Sequence, residues 1–223
     1  MRTAVCFSGE LRSIDKCLPL IQTNILNNLP EYDLFYFTWK DDRHIKKLQL
    51  FENHPNIKSI VLEDRKIFDL NIFTNKKIRG EVDLMGMLRQ LYCLKRVNEI
   101  KNDYSSLHGV KYDWVIRIRP DIFIVDNTSF TIDENMDGNK VYIPNHDNHH
   151  GYNDRFYVSS DQNMNVLCSR IDDLMEYAEI GGILHYEKFF KFVVDINGID
   201  VERIDLRFNL LRPSGEMVLL CEN

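Results

Sequence analysis

With 223 residues, 44% of them hydrophobic and 28% charged, the chain has the length of one α/β domain or two small ones, and enough apolar material for a real core. A formal net charge of −6 argues against a nucleic-acid partner, which needs a clustered positive footprint, and leaves room only for a local basic site holding a small anion. Five scattered cysteines (Cys6, Cys17, Cys93, Cys168, Cys221) form no CxxC pair, and no run approaches the roughly 18 apolar residues that span a bilayer. A disulfide framework, a structural zinc site and a transmembrane segment are not expected. The N-terminus is too short and polar in its apolar run for a signal peptide, so a reducing, cytoplasmic setting is expected.

In chain order, "TAVCFS" (3–8) reads as a strand closed by Ser8-Gly9. Apolar residues at helical spacing follow over 10–26, and strand, glycine turn and helix together open an α/β unit. "YDLFYFTW" (32–39) and "IKSIVLED" (57–64) are further strands, the first followed by the charged loop 40–47. Their spacing of about 30 residues predicts parallel crossovers. Residues 81–103 give the clearest helix, with Met87, Leu88, Leu91, Leu94, Val97 and Ile100 on one stripe. "WVIRIRPDIFI" (114–124), "KVYIP" (140–144) and "DRFYVSS" (154–160) read as strands, and 162–177 as a helix. A turn and helix follow over 181–198, then a strand or hairpin over 199–213. No repeat, low-complexity tract or linker interrupts this order. One domain over 1–223 is expected, a mixed, mainly parallel sheet flanked by helices.

The fourth strand poses a question of charge. Val115, Arg117, Arg119 and Asp121 share one of its faces, and Trp114, Ile116 and Ile118 the other. A guanidinium stays charged and is costly to bury alone, so two on one face need carboxylates or a bound anion. Asp113, Asp33 and Asp121 are the internal partners available. The alternative is a crevice at the strand's carboxyl end, where open α/β sheets bind ligands, with Arg119 and Asp121 projecting into it.

Three other stretches carry chemistry. In "FSGELRS", Ser8-Gly9 lets backbone approach a ligand, and Arg12 lies within reach of a phosphate. There is no GxGxxG or GxxxxGK[ST]. The segment 143–156 gathers His146, Asp147, His149 and His150, a set that suits a transition metal and admits a metal-hydrolase reading, although no helical HExxH is present. Asp154, at the mouth of a strand, is placed to take a proton from a hydroxyl. Gln90 lies beside the apolar stripe of its helix, and His185 and Glu187 open an aromatic helix.

This order of segments, "FSGELRS", "YDLFYFTW", "LRQLYCLKRV", "YDWVIRIRPDIFI" and "GYNDRFYVSS", resembles nucleotide-sugar-dependent glycosyltransferases of the GT-A fold. The similarity is to the polysaccharide and lipopolysaccharide-type enzymes of bacteria and large DNA viruses, and spans roughly Arg2 to Gly215. The resemblance implies a hexosyl- or deoxyhexosyltransferase, with a nucleotide-binding half over about 1–125 and an acceptor-side half over about 126–223. It implies a nucleotide-sugar donor, UDP-linked by preference, held by Phe7, Ser8, Gly9, Arg12, Gln90, Arg117, Arg119 and Asp121. Asp154 and Asp121 are the implied catalytic residues. The DxD motif that holds Mn²⁺ or Mg²⁺ in such enzymes reads Arg119-Pro120-Asp121 here, so only Asp121 remains as metal ligand and Arg119 offers charge of its own. The implied acceptor is a glycan or lipid-linked sugar, reached from solution or from a membrane surface, in polysaccharide biosynthesis. A non-catalytic nucleotide- or sugar-binding module and a sugar-phosphate nucleotidylyltransferase are the alternatives. The single glycine of "FSGELRS" speaks against the latter.

Overall fold

The computed structural model describes residues 1–42, 45–79 and 82–220. Arg43 and His44 of the charged loop, the predicted helix start at Glu81, and Cys221 lie outside them. A seven-stranded sheet runs through the centre. Its strands are β1 (Thr3–Ser8), β2 (Tyr32–Trp39), β3 (Ile57–Glu63), β4 (Trp114–Ile118), β6 (Lys140–Pro144), β7 (Phe156–Ser160) and β8 (Asp200–Ile204), in the order β3-β2-β1-β4-β7-β6-β8. The first four strands are mutually parallel, β7 is antiparallel to both β4 and β6, and β8 runs parallel to β6. A three-stranded sheet joins β5 (Ile122–Ile124), β9 (Phe208–Leu211) and β10 (Met217–Val218). The expected mixed, mainly parallel sheet flanked by helices is therefore present.

Two cores form because the buried central strands are apolar on both faces. On one face α3 (Leu84–His108), α4 (Asp161–Ser169) and α6 (Tyr186–Ile196) cover Ala4, Cys6, Phe35, Phe37, Val115 and Tyr157. All six apolar residues of the predicted α3 stripe are buried there. The helix ends at Gly109, whose φ of 64° supplies the left-handed cap. On the other face α1 (Ile14–Asn24) covers Val5, Phe7, Ile116 and Ile118. Cys6, Cys17, Cys93 and Cys168 are free and buried. No helix among the described residues is long and apolar enough to cross a membrane.

Two predicted elements divide. The strand over 114–124 stops after Ile118 and resumes as β5 in the other sheet. Pro120 has no N–H to give a ladder, and the turn at 119–121 closes through the Ile122 amide to the Arg119 carbonyl at 3.5 Å. The helix over 162–177 becomes α4, a 3₁₀ turn (Arg170–Asp173) and α5 (Leu174–Glu179). At that turn Arg170 swings into the core and donates a hydrogen bond from Nη1 to the Leu167 carbonyl. A short α2 (Gln49–Glu52) precedes β3.

Candidate functional site

The parallel strands β1, β2 and β4 end on one edge of the sheet, where Ser8, Trp39 and Arg119 face a common cavity of about 430 Å³. β7 runs the other way, so its start lies beside the end of β4. Ile118 pairs with Phe156, and the Arg119 amide donates to the Arg155 carbonyl at 3.0 Å. That register brings Asp154 and Arg155 to the cavity from a position 35 residues beyond Arg119. The first turns of α3 add Asp83, Gly86, Arg89, Gln90 and Cys93, and α6 adds Tyr186 and Glu187. Gly9, at φ 116°, makes the turn out of β1, donates its amide to the Phe37 carbonyl, and lies against Pro120.

The lining carries seven arginines against five carboxylates, a local positive excess in a negative chain. Asp121 is buried, with both oxygens taken by guanidinium. Arg119 reaches Oδ1 through Nε at 2.9 Å and Oδ2 through Nη2 at 2.8 Å, while Nη1 of Arg12 meets Oδ2 at 2.9 Å. Burial alone would push the Asp121 carboxyl up, but Arg119 and Arg12 outweigh it and hold it well below the usual carboxylate range. Arg212 is crowded instead. Burial and the neighbouring Arg12 and Arg119 lower its pKa.

Arg117 differs from all of these. Its side chain is 0% exposed, and Nη1 donates to the main-chain carbonyl of Asp154 at 2.5 Å. Nε and Nη2 have no partner among the described residues. None of Asp33, Asp113 and Asp121 pairs with it. Asp33 serves Arg2, Lys58 and the Tyr112 hydroxyl, and Asp113 serves the amide of Arg2. Burial pulls the Arg117 guanidinium down to about 10.

Asp154 is the node beside it. Its side chain is 2% exposed, and Nε2 of Gln90 donates to Oδ2 at 2.6 Å. Arg170, fully buried beneath, stands 3.7 Å from the same oxygen and donates through Nη1 to the Tyr157 hydroxyl at 3.0 Å. Tyr157 lies between the two buried guanidinia, 5.8 Å from Arg117 and 5.7 Å from Arg170. On the opposite wall Trp39 is stacked on Tyr92, ring centroids 5.6 Å apart at 12°. Tyr186 has its hydroxyl pushed up to about 12 by burial and by Asp154.

Residues 1–214 match the family described as Domain of unknown function (DUF7796). The chain belongs to that family. No curated protein matches the sequence. Among solved structures it is similar to mouse xyloside xylosyltransferase 1 in its apo form. The two are 11% identical at a TM-score of 0.49, over 92% of this chain and 86% of that one.

Of the residues singled out from sequence, Ser8, Gly9, Arg12, Gln90, Arg117, Arg119, Asp121 and Asp154 line the cavity. Phe7 does not. Its ring points to the α1 side of the sheet, against Phe51 and Tyr36 at 5.1 and 6.0 Å. Strand alternation explains this, since Ser8 and Phe7 face opposite ways. A Mn²⁺ or Mg²⁺ at Asp121 does not fit the arrangement, because both oxygens are engaged by two guanidinia. The histidine-rich segment separates as well. His146 turns to the Leu206 carbonyl at 3.1 Å and His150 faces solvent, while Asp147 and His149 meet Glu187. Trp39, Arg65, Arg155, Arg170, Tyr186 and Arg212 join the site without having been singled out from sequence, although Trp39 and Arg155 lie within the segments "YDLFYFTW" and "GYNDRFYVSS". Periodicity places Trp39 on a strand but does not say which strand end gathers ligands.

Proposed function

We propose that the protein transfers a sugar from a nucleoside-diphosphate sugar to a hydroxyl of a glycan or lipid-linked acceptor, a UDP-sugar being the preferred donor. One observation carries the reading: a fully buried guanidinium, Arg117, with two nitrogens unpartnered, in the wall of an arginine-rich cavity at the carboxyl ends of parallel strands. A buried cation without a carboxylate calls for an anion from outside. A diphosphate supplies negative charge opposite Arg117, and partners for the N–H groups that Asp121 leaves free on Arg119 and Arg12. The order of segments described above adds the sugar to the nucleotide, and Trp39 offers an aromatic wall.

In this reading the bond between the anomeric carbon and the diphosphate oxygen breaks, and its electron pair leaves with the diphosphate. Arg117, Arg119 and Arg12 hold the charge that develops there, preorganised and partly shielded from water. The acceptor oxygen bonds to the anomeric carbon, and its proton passes to Asp154. Gln90 and Arg170 both address Oδ2 of Asp154, which leaves Oδ1 to receive that proton. Asp121 positions the two arginines, and no metal ion enters the scheme. Free buried cysteines support a reducing, cytoplasmic setting for this activity.

A second reading, a binding module without turnover, draws on the same saturated Asp121. A thermal-shift panel of UDP, GDP, CMP, dTDP and their sugars tests the site, because a ligand that binds only the folded chain raises its melting temperature. Stabilisation by one diphosphate is expected, with release of that diphosphate when sugar donor and acceptor are both present. Stabilisation without release leaves the binding module. A panel that moves nothing ends both readings.

A further inference from the structure

Beyond Arg155, on the side away from Arg117, two imidazole–carboxylate pairs face each other. Asp147 turns Oδ1 to Nε2 of His149 at 2.6 Å. Glu187, in the first turn of α6, turns Oε2 to Nδ1 of His185 at 3.0 Å. The other oxygen of each carboxylate rests on the same atom, Nη1 of Arg155, at 2.9 Å for Glu187 and in direct contact for Asp147. One guanidinium thus backs both carboxylates and turns their remaining oxygens towards the two imidazoles. Oxygen and nitrogen donors of Asp147, His149 and Glu187 lie within 4.8 Å of one another.

The group is buried at its base and open at its rim. The Asp147 and Glu187 side chains are 6% and 2% exposed, whereas His149 is 46% exposed. It opens on a second cavity of about 490 Å³, whose wall shares Asp83, Arg155, Tyr186 and Glu187 with the first. Oε2 of Glu187 and Nδ1 of His185 stand 3.0 Å apart. Two carboxylates and two imidazoles thus turn donor atoms towards one another over a single guanidinium. A single divalent cation would draw these donors together.

We propose that Asp147, His149 and Glu187, with His185 as the adjoining fourth donor, form a binding site for a divalent transition-metal cation of the zinc class. Mixed imidazole and carboxylate donors are the set such ions take. Arg155 occupies the place of an outer-sphere partner, orienting the carboxylate ligands. Donors around a tetrahedral zinc, with bonds of about 2.0–2.2 Å, stand roughly 3.4 Å apart, so modest side-chain shifts close the set. The loop that carries Asp147 and His149 is fixed in advance. Arg79 donates to the His149 carbonyl at 2.9 Å, and Asn153 to the His146 carbonyl at 3.0 Å. The site does not depend on the glycosyltransferase reading, and it is separate from Asp121.

The test strips the full chain with chelator and titrates it with Zn²⁺ against a chromophoric competitor, without nucleotide. Co²⁺ is used in parallel for its visible spectrum. One ion per chain is expected, with the strong absorption of four-coordinate cobalt. His149→Ala and Asp147→Asn should each weaken Zn²⁺ binding about 10- to 100-fold. The exposed neighbour variant His150→Ala should match the parent, and so should Arg117→Met, which alters only the nucleotide cavity. Because His149 lies at the rim, its alanine variant keeps the parent's melting temperature in the metal-free state. Absence of a stoichiometric ion overturns the proposal, and so does an affinity that His149→Ala leaves unchanged.

Discussion

Arg117 is fully buried, and among the described residues its Nε and Nη2 have no hydrogen-bond partner. Replacing buried charge with well-packed apolar volume is often neutral or stabilising by roughly 1–4 kcal/mol, so Arg117→Met should raise the melting temperature while abolishing the diphosphate-induced shift. Thermal unfolding with and without UDP measures both. A less stable variant would mean that the guanidinium holds β4 in place rather than awaiting an anion. Asp121 is the opposite case, a carboxylate whose charge two arginines require. Its folded pKa lies below the unfolded value of about 3.9. Its contribution to stability is therefore fully present above that value and lost only as pH falls through the lower, folded one. Asp121→Asn should cost about 3–5 kcal/mol at neutral pH and flatten the fall of stability below about pH 4, read from denaturant midpoints across pH. The two residues also show what a sequence discloses about a site. Arg117 and Arg119 stood out because their strand is apolar on either side of them, and charge in such a strand demands an explanation. Arg170 stands among polar helix residues and carries no such contrast. Only the bend after α4 and the pairing of β4 with β7 bring it beneath Asp154.

The elements were legible where periodicity is long and uninterrupted, and less so where a short feature breaks it. The α3 stripe spans four turns, and every residue of it is buried as read. The strand over 114–124 looked continuous because Ile118 and Ile122 are both apolar, yet Pro120 lies between them and each half joins a different sheet. That break is what turns Arg119 and Asp121 towards one another. A comparable dependence on one small residue occurs at Gly151. It lies against the first turn of α6, where an added Cβ would come 2.0 Å from the Glu187 carbonyl oxygen. Gly151→Ala should therefore force the loop and helix apart, at roughly 1–3 kcal/mol by analogy with overpacked cores. It should also separate Asp147 from Glu187 and lower the Zn²⁺ affinity. Equilibrium unfolding and the competitor titration measure the two effects, and a variant unaltered in both would show that the contact is not tight.

At the scale of the whole molecule, charge is distributed unevenly. The chain carries −6, yet the cavity at the strand ends is lined by seven arginines and five carboxylates. An anionic ligand is thus repelled by much of the surface and attracted at one edge of the sheet, so the attraction comes from the cavity rather than from net charge. If arginines hold the diphosphate, salt and metal should act on binding in different ways. Raising NaCl from about 50 to 500 mM shortens the screening length from roughly 14 Å to 4 Å. UDP affinity, measured by calorimetry, should fall on the order of tenfold, less than for a fully exposed cationic patch because Arg117 and Asp121 are buried. Adding Mn²⁺ to chelator-treated protein should leave UDP affinity within about twofold, since Arg119 and Arg12 already hold the Asp121 carboxylate and set two positive charges where a cation would sit. A large gain with Mn²⁺ would require Arg12 or Arg119 to leave Asp121 on binding, and would return the diphosphate to a metal-held arrangement. Steep salt dependence with no response to Mn²⁺ is the pattern that fixed guanidinium charge predicts, because that charge is covalently part of the site and needs no second ligand to assemble it.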